Sequence, residues 1–180
     1  MLRPGVRVRP ACSDDAETLI ELMRALAHFE DYLDEFKVDA DTLRARAFGE
    51  NAQCHIAVVE WEAQVAGYAV LLEIPFTFDL RPTVLLKELY VTPHGRGNSL
   101  GKALMHYVAR WALARGAGRL KWDVMLGNEP AEAFYRQLGG QRDHKWIAYH
   151  LGQHELSELA MPLVVQRRSS EAAAVLNQTC

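Results

Sequence analysis

Three cysteines in 180 residues (Cys12, Cys54 and Cys180) are too few, and odd in number, for a disulfide framework. Their sparseness fits a reducing compartment. No apolar run reaches membrane-span length before a charge or turn residue breaks it. An excess of one charge is lacking too: 20 Lys and Arg stand interspersed with 23 Asp and Glu, for a formal net charge of −3. That excludes the basic face of a nucleic-acid binder. The first ten residues hold three arginines with no apolar stretch behind them, so no secretory signal is expected. No internal repeat occurs. The expectation is a cytoplasmic protein without nucleic-acid or membrane partners. With 49 % apolar residues, the chain is long enough for one domain with its own core.

Residues 6–9 alternate as a half-buried strand does. Asp14 is expected to open a helix with Glu17 as its capping-box partner. Leu19, Leu22, Met23 and Leu26 give that helix one apolar face. Residues 29–36 then mix aromatics with Glu30, Asp31, Asp34 and Glu35, and a second helix is expected over Ala40–Ala47. Residues 55–60 and 67–74 are β-rich runs whose short polar link suits a hairpin. A loop bracketed by Pro75 and Pro82 leads to a strand over residues 85–91. A long helix over residues 99–115 follows, stopped by Gly116, then a strand over residues 120–125. Asn128-Glu129-Pro130 starts a further helix that ends at Gly139-Gly140. Residues 146–151 read as a strand, residues 154–160 as a short helix, and the tail from Gln166 as a peripheral segment. The order implies an α/β (α+β) fold, a mixed central sheet of about six to seven strands with helices on both faces. It is expected to form one domain over residues 5–160, with residues 161–180 as an extension.

The strand ending Leu89-Tyr90-Val91 runs into Thr92-Pro93-His94-Gly95-Arg96-Gly97-Asn98-Ser99-Leu100-Gly101 and then the long helix. Strand, glycine-rich turn and helix N-terminus together aim backbone N–H groups and a positive dipole end at one point, an anion site. A P-loop would need glycine at 96 and a hydroxyl residue after Lys102, where Arg96 and Ala103 stand. A dinucleotide fingerprint would need glycine at 100, which is Leu100. Cys54 and His55 are strand neighbours with opposed side chains and cannot pair as nucleophile and base. His150 and His154 have metal-like spacing but no evident third ligand, so no metal site is expected.

Lys87-Glu88-Leu89-Tyr90-Val91-Thr92-Pro93, followed by Arg96 to Gly101, resembles the acetyl-CoA motif of the GNAT superfamily, Arg/Gln-x-x-Gly-x-Gly/Ala. Asn128-Glu129-Pro130-Ala131-x-x-Phe134-Tyr135-x-x-x-Gly139 resembles its second signature. Within the superfamily the diamine acetyltransferases (spermidine/spermine and thialysine enzymes) are most similar, including the acidic-aromatic stretch at 29–36. Two positions depart from the pattern. Ser99 stands where a loop glycine is usual, and Lys87 stands where the diamine enzymes carry the first of two carboxylates.

The resemblance implies direct transfer of an acetyl group from acetyl-CoA to a primary amine, without a metal. The pantetheine arm would pair with the backbone of Leu89, Tyr90 and Val91, with a backbone N–H near Tyr90 meeting the acetyl oxygen. Arg96, Gly97, Asn98, Ser99, Leu100, Gly101 and Lys102 would cradle the pyrophosphate. Asn128, Ala131 and Arg136 complete the expected cofactor contacts; Asn128 also reads as a helix cap. Glu88 is the candidate base, directly or through water, because an alkyl ammonium with a pKa of ~10 must lose a proton before it attacks. Tyr135 is the candidate acid for the departing thiolate. Phe29, Glu30, Asp31, Lys87 and Asp123 are the substrate-side candidates, and Trp146 matches a tryptophan of the diamine enzymes. A small, cationic amine is the expected partner and a homodimer the expected assembly. A protein acetyltransferase and a non-catalytic acyl-CoA-binding module are the alternatives.

Overall fold

The computed structural model describes residues 5–75 and 79–161. Residues 76–78 of the Pro75–Pro82 link, the tail from Gln166 and Cys180 lie outside them, as does the expected extension beyond Met161. The chain divides into two compact units between Phe134 and Tyr135. In the first, β1 (Arg7–Pro10), α1 (Ala16–Phe29) and α2 (Ala40–Ala47) precede β2 (His55–Trp61), β3 (Gln64–Ile74) and β4 (Thr83–Val91). Then come α3 (Leu100–Ala114), β5 (Arg119–Trp122) and α4 (Glu129–Gln137), the last crossing the division; α5 (Gln153–Leu159) belongs to the second unit.

The strands lie in chain order, β1 to β5. The first four are antiparallel and β5 runs parallel to β4. β2 and β3 are joined by the two-residue turn Glu62-Ala63, both at positive φ (51° and 61°), the mirror-image turn whose twist matches a hairpin. One sheet face packs on α1: Leu19, Leu22, Met23 and Leu26 meet Ile56, Val58, Tyr68, Val70 and Tyr90. Alternation sends the neighbouring residues to the opposite face, where α3 packs on β2, β3 and β4 and Leu104 and Val108 are wholly buried.

Three expectations are corrected. Among the described residues there are five strands rather than six to seven, because residues 146–151 pair with none. β5 ends at Trp122, short of the expected Met125, because its ladder to β4 stops at the pair Leu86–Trp122. A strand persists only while a neighbour satisfies its backbone groups, and β4 bulges immediately beyond Leu86. The expected Asp14–Glu17 capping box gives way to a short 3₁₀ turn over Ser13–Asp15. There Asp15 accepts from the Cys12 N–H (2.8 Å) and from both terminal nitrogens of Arg9 (2.7 and 2.9 Å). Arg9 Nε donates to Glu60 at 2.7 Å, so the network ties β1, β2 and the start of α1 together. Glu17 is bonded to Arg44 of α2 instead.

Candidate active site

The site is organised by one irregularity in β4. Opposite β3, Val70 pairs with Glu88 but Leu71 pairs with Leu86, so Lys87 is an extra residue. A bulge breaks strict alternation and re-aims side chains. Val84 and Leu86 therefore lie on the face opposite α1, while Glu88 and Tyr90 join Tyr68 and Val70 on the α1 face. Beyond the bulge β4 has β3 on one side only, since the β5 ladder ends at Leu86–Trp122. Residues 88–91 thus present a splayed edge that, among the described residues, has no strand partner on the β5 side. That edge fits an extended amide-bearing chain such as the pantetheine arm. Gly67, opposite Val91, is required here: a Cβ on it would stand 2.5 Å from the Tyr90 carbonyl oxygen.

The turn after β4 has the expected form. The N–H of Gly95 and that of Arg96 bond to the Thr92 carbonyl (2.9 and 3.1 Å), and Asn98 Nδ2 braces the turn through the carbonyls of His94 and Arg96. Gly97 and Ser99 take positive φ, 74° and 65°. Ser99 caps α3 in the left-handed region with no side-chain cap bond, so the irregular member of the motif adopts a glycine-like backbone at a conformational cost. The first-turn N–H groups of α3, from Leu100 to Lys102, have no intrahelical acceptor and lie at the dipole's positive end. Leu100 itself is buried and contributes backbone only. These donors suit a pyrophosphate. Arg96 turns back toward the strand: its Nε donates to the Val91 carbonyl (3.2 Å), with its guanidinium 5.8 Å from the Phe29 ring and 6.0 Å from that of Tyr90.

Asn128 caps α4, its Oδ1 accepting from the Ala131 N–H at 3.2 Å. Phe134 of the same helix lies where a Cβ on Gly101 would stand 3.3 Å from its ring, so Gly101 lets α4 approach the α3 terminus. Tyr135 and Arg136 occupy the last turn of α4 and open the second unit.

On the α1 face, Glu88 is half-buried and its Oε2 accepts from the Tyr68 hydroxyl at 2.7 Å. Three more groups feel its charge. Partial desolvation raises the Glu30 pKa, with Glu88 second and Lys87 offsetting. The Tyr32 phenol is pushed up to about 12 by burial, then by Glu88 and Glu30. Burial, with Glu88 second, also pushes the Cys54 thiol upward. The structure thus gathers Glu30, Lys87 and Glu88, with Phe29 beside Arg96. Asp31 falls in the turn after α1 (φ 61°) and Asp123 one residue past β5; among the described residues no hydrogen bond or ion pair ties either to Glu88. Tyr32 and Tyr68 escaped the sequence reading, which weighed Cys54 only as a nucleophile beside His55 and set it aside. Tyr68 lies there within the β-rich run at residues 67–74 and is not singled out, because its partner depends on the bulge. Among the described residues no group of three His, Cys, Asp or Glu could hold a metal, and no helix is long and apolar enough to cross a membrane.

A splayed sheet edge beside a turn with free N–H donors is the arrangement a coenzyme A thioester would fit. The chain belongs to the GNAT acetyltransferase family, whose model matches residues 19–140. It is 32 % identical over 167 residues to the mouse (Mus musculus) thialysine N-epsilon-acetyltransferase, covering 87 % of this chain and 98 % of that protein. It is 31 % identical over 166 residues to the Bos taurus protein of the same name, covering 86 % and 97 %. An integron cassette protein from the mobile metagenome of V. cholerae shares the fold, with a TM-score of 0.73 and 23 % identity over 89 % of this chain and 100 % of that one. The protein is an acetyl-CoA-dependent N-acetyltransferase.

Proposed function

We propose that this enzyme transfers acetyl from acetyl-CoA directly to a primary amine of a small cationic molecule, diamine-like or amino-acid-like. The observation that carries the reading is the group of Glu88, Glu30 and Tyr32 on the α1 face, beside the open β4 edge. Negative charge grouped beside that edge attracts an ammonium. The same group must then lose a proton to attack, and Glu88 accepts it, directly or through one water. The amine nitrogen bonds to the acetyl carbon and the carbon–sulfur bond breaks; Tyr135 gives its proton to the thiolate and is reprotonated by the second proton that the nitrogen releases as the amide forms. The thialysine enzymes, at about 30 % identity, support an amine on a short side chain. Residues 5–160 are read as the acetyltransferase domain, acting as a homodimer in the cytoplasm, where the free thiols of Cys12 and Cys54 would persist.

The test is an amine panel of polyamines, thialysine, lysine, amino alcohols and peptides, followed by thiol release. Turnover of small diamines or amino acids is the expected result; turnover of peptides alone would overturn it in favour of a protein acetyltransferase. No turnover of any amine, with acetyl-CoA still bound, would favour a binding module. Glu88→Gln should remove the acid limb of the rate profile and Tyr135→Phe the basic limb.

A further inference from the structure

Tyr68 is among the largest side chains with no exposed surface at all. A phenol is an expensive choice for such a position, since a buried hydroxyl costs free energy unless it is satisfied. Phenylalanine would bury the same ring without that requirement. The hydroxyl is satisfied by the Glu88 carboxylate, Oε2 at 2.7 Å. The contact is a cross-strand diagonal: Tyr68 faces Tyr90 and Val70 faces Glu88, and long side chains on one sheet face reach across that offset. It exists because the Lys87 bulge brings Glu88 to this face. Burial, and then the Glu88 charge, hold the phenol protonated, so Tyr68 is the donor and the carboxylate the acceptor.

The other groups around Glu88 do not hold it. Glu30 and Tyr32, beyond the end of α1, meet it as an acid and as a phenol whose own ionisation it opposes. Cys54, ahead of β2, is a thiol that burial, and then the Glu88 charge, pushes toward its protonated form. Lys87 is its neighbour on β4 and the cation of the group. Tyr68 alone in this set is shown donating a hydrogen bond to the carboxylate. We propose that Tyr68 is a positioning residue, which anchors Oε2 of Glu88 to β3 and leaves Oε1 as the oxygen presented to the acceptor amine or its bridging water. This rests on the reading of Glu88 as the proton acceptor.

The experiment is the pH dependence of kcat/KM for Tyr68→Phe, Glu88→Gln, the double variant and Glu88→Asp, with melting temperatures measured alongside. A hydrogen bond to the charged form of an acid favours that form. Tyr68→Phe should therefore move the acid limb up by about one pH unit and lower kcat about tenfold, with the KM for acetyl-CoA unchanged. Added to Glu88→Gln, it should cost little further activity, since it acts through Glu88. Glu88→Asp withdraws the carboxylate from the hydroxyl without touching the core and should move the limb in the same direction; this arm holds if Tyr68→Phe folds poorly. An unmoved acid limb in Tyr68→Phe and Glu88→Asp, with Glu88→Gln still impaired, overturns the positioning role alone. So does a loss in the double variant equal to the product of the two single losses. A wild-type profile in Glu88→Gln overturns the reading of Glu88, and the role of Tyr68 with it.

Discussion

Leu86 and Trp122 form the last pair of the ladder between β4 and β5, one residue before the bulged Lys87. Past that pair β4 continues to Val91 with one side of its backbone free of β5. Adding acetyl-CoA should slow amide hydrogen exchange in peptides covering residues 88–91 and 97–102, and leave β1 unchanged. Exchange followed by mass spectrometry reads this directly, and equal rates with and without the thioester would remove the assignment of this edge.

Ser99 sits at φ 65° with no capping bond. A non-glycine residue in this region costs about 1–2 kcal/mol, part of which glycine gives back through the freedom of the unfolded chain. Ser99→Gly should raise stability by up to about 1 kcal/mol while keeping acetyl-CoA affinity, and Ser99→Val should lower both. Urea melts with and without acetyl-CoA separate the two effects.

Lys87 offsets the negative environment that Glu30 shares with Glu88. Replacing it by glutamate should deepen the local negative potential. The KM for a dicationic amine should fall several-fold at low salt, and less at ~0.5 M salt, where exposed charges are screened. A monoamine of similar length should change much less. Parallel kinetics on the two substrates at both salt concentrations decide it.

Asp15 is held at about 2, against an ordinary value of 3.8, chiefly by the Arg9 hydrogen bonds. Its folded pKa is depressed, so its contribution is complete above the unfolded value and disappears as pH falls from about 4 through about 2. The difference corresponds to about 2 kcal/mol. Asp15→Asn should be less stable than wild type near neutral pH, and the gap should close over that acid range. Denaturant melts at several pH values show whether it does.

The glycine-rich turn after β4 was legible in the sequence because it is local. A turn, a helix start and their N–H groups lie within a dozen consecutive residues, and backbone geometry there follows from residue type. The ranges of α2, α3 and α5 were readable to within a residue or two for the same reason. The grouping of Tyr32, Cys54 and Tyr68 with the sequence candidates Glu30 and Glu88 was not, since the five come from widely separated segments. The expected strand at residues 146–151 failed for a related reason: alternation supplies a face, but only a neighbouring edge makes a strand.

Residue order alone thus determined the family and the glycine-rich turn, including Ser99 as its odd member, through steric and hydrogen-bonding rules that act over a few residues. Tertiary structure decided which way Glu88 faces. One extra residue, Lys87, shifts the β4 register against β3, turns Glu88 toward α1 and Tyr68, and lies where the β5 ladder gives out. No local pattern encodes that shift, because a bulge is defined by the strand opposite it.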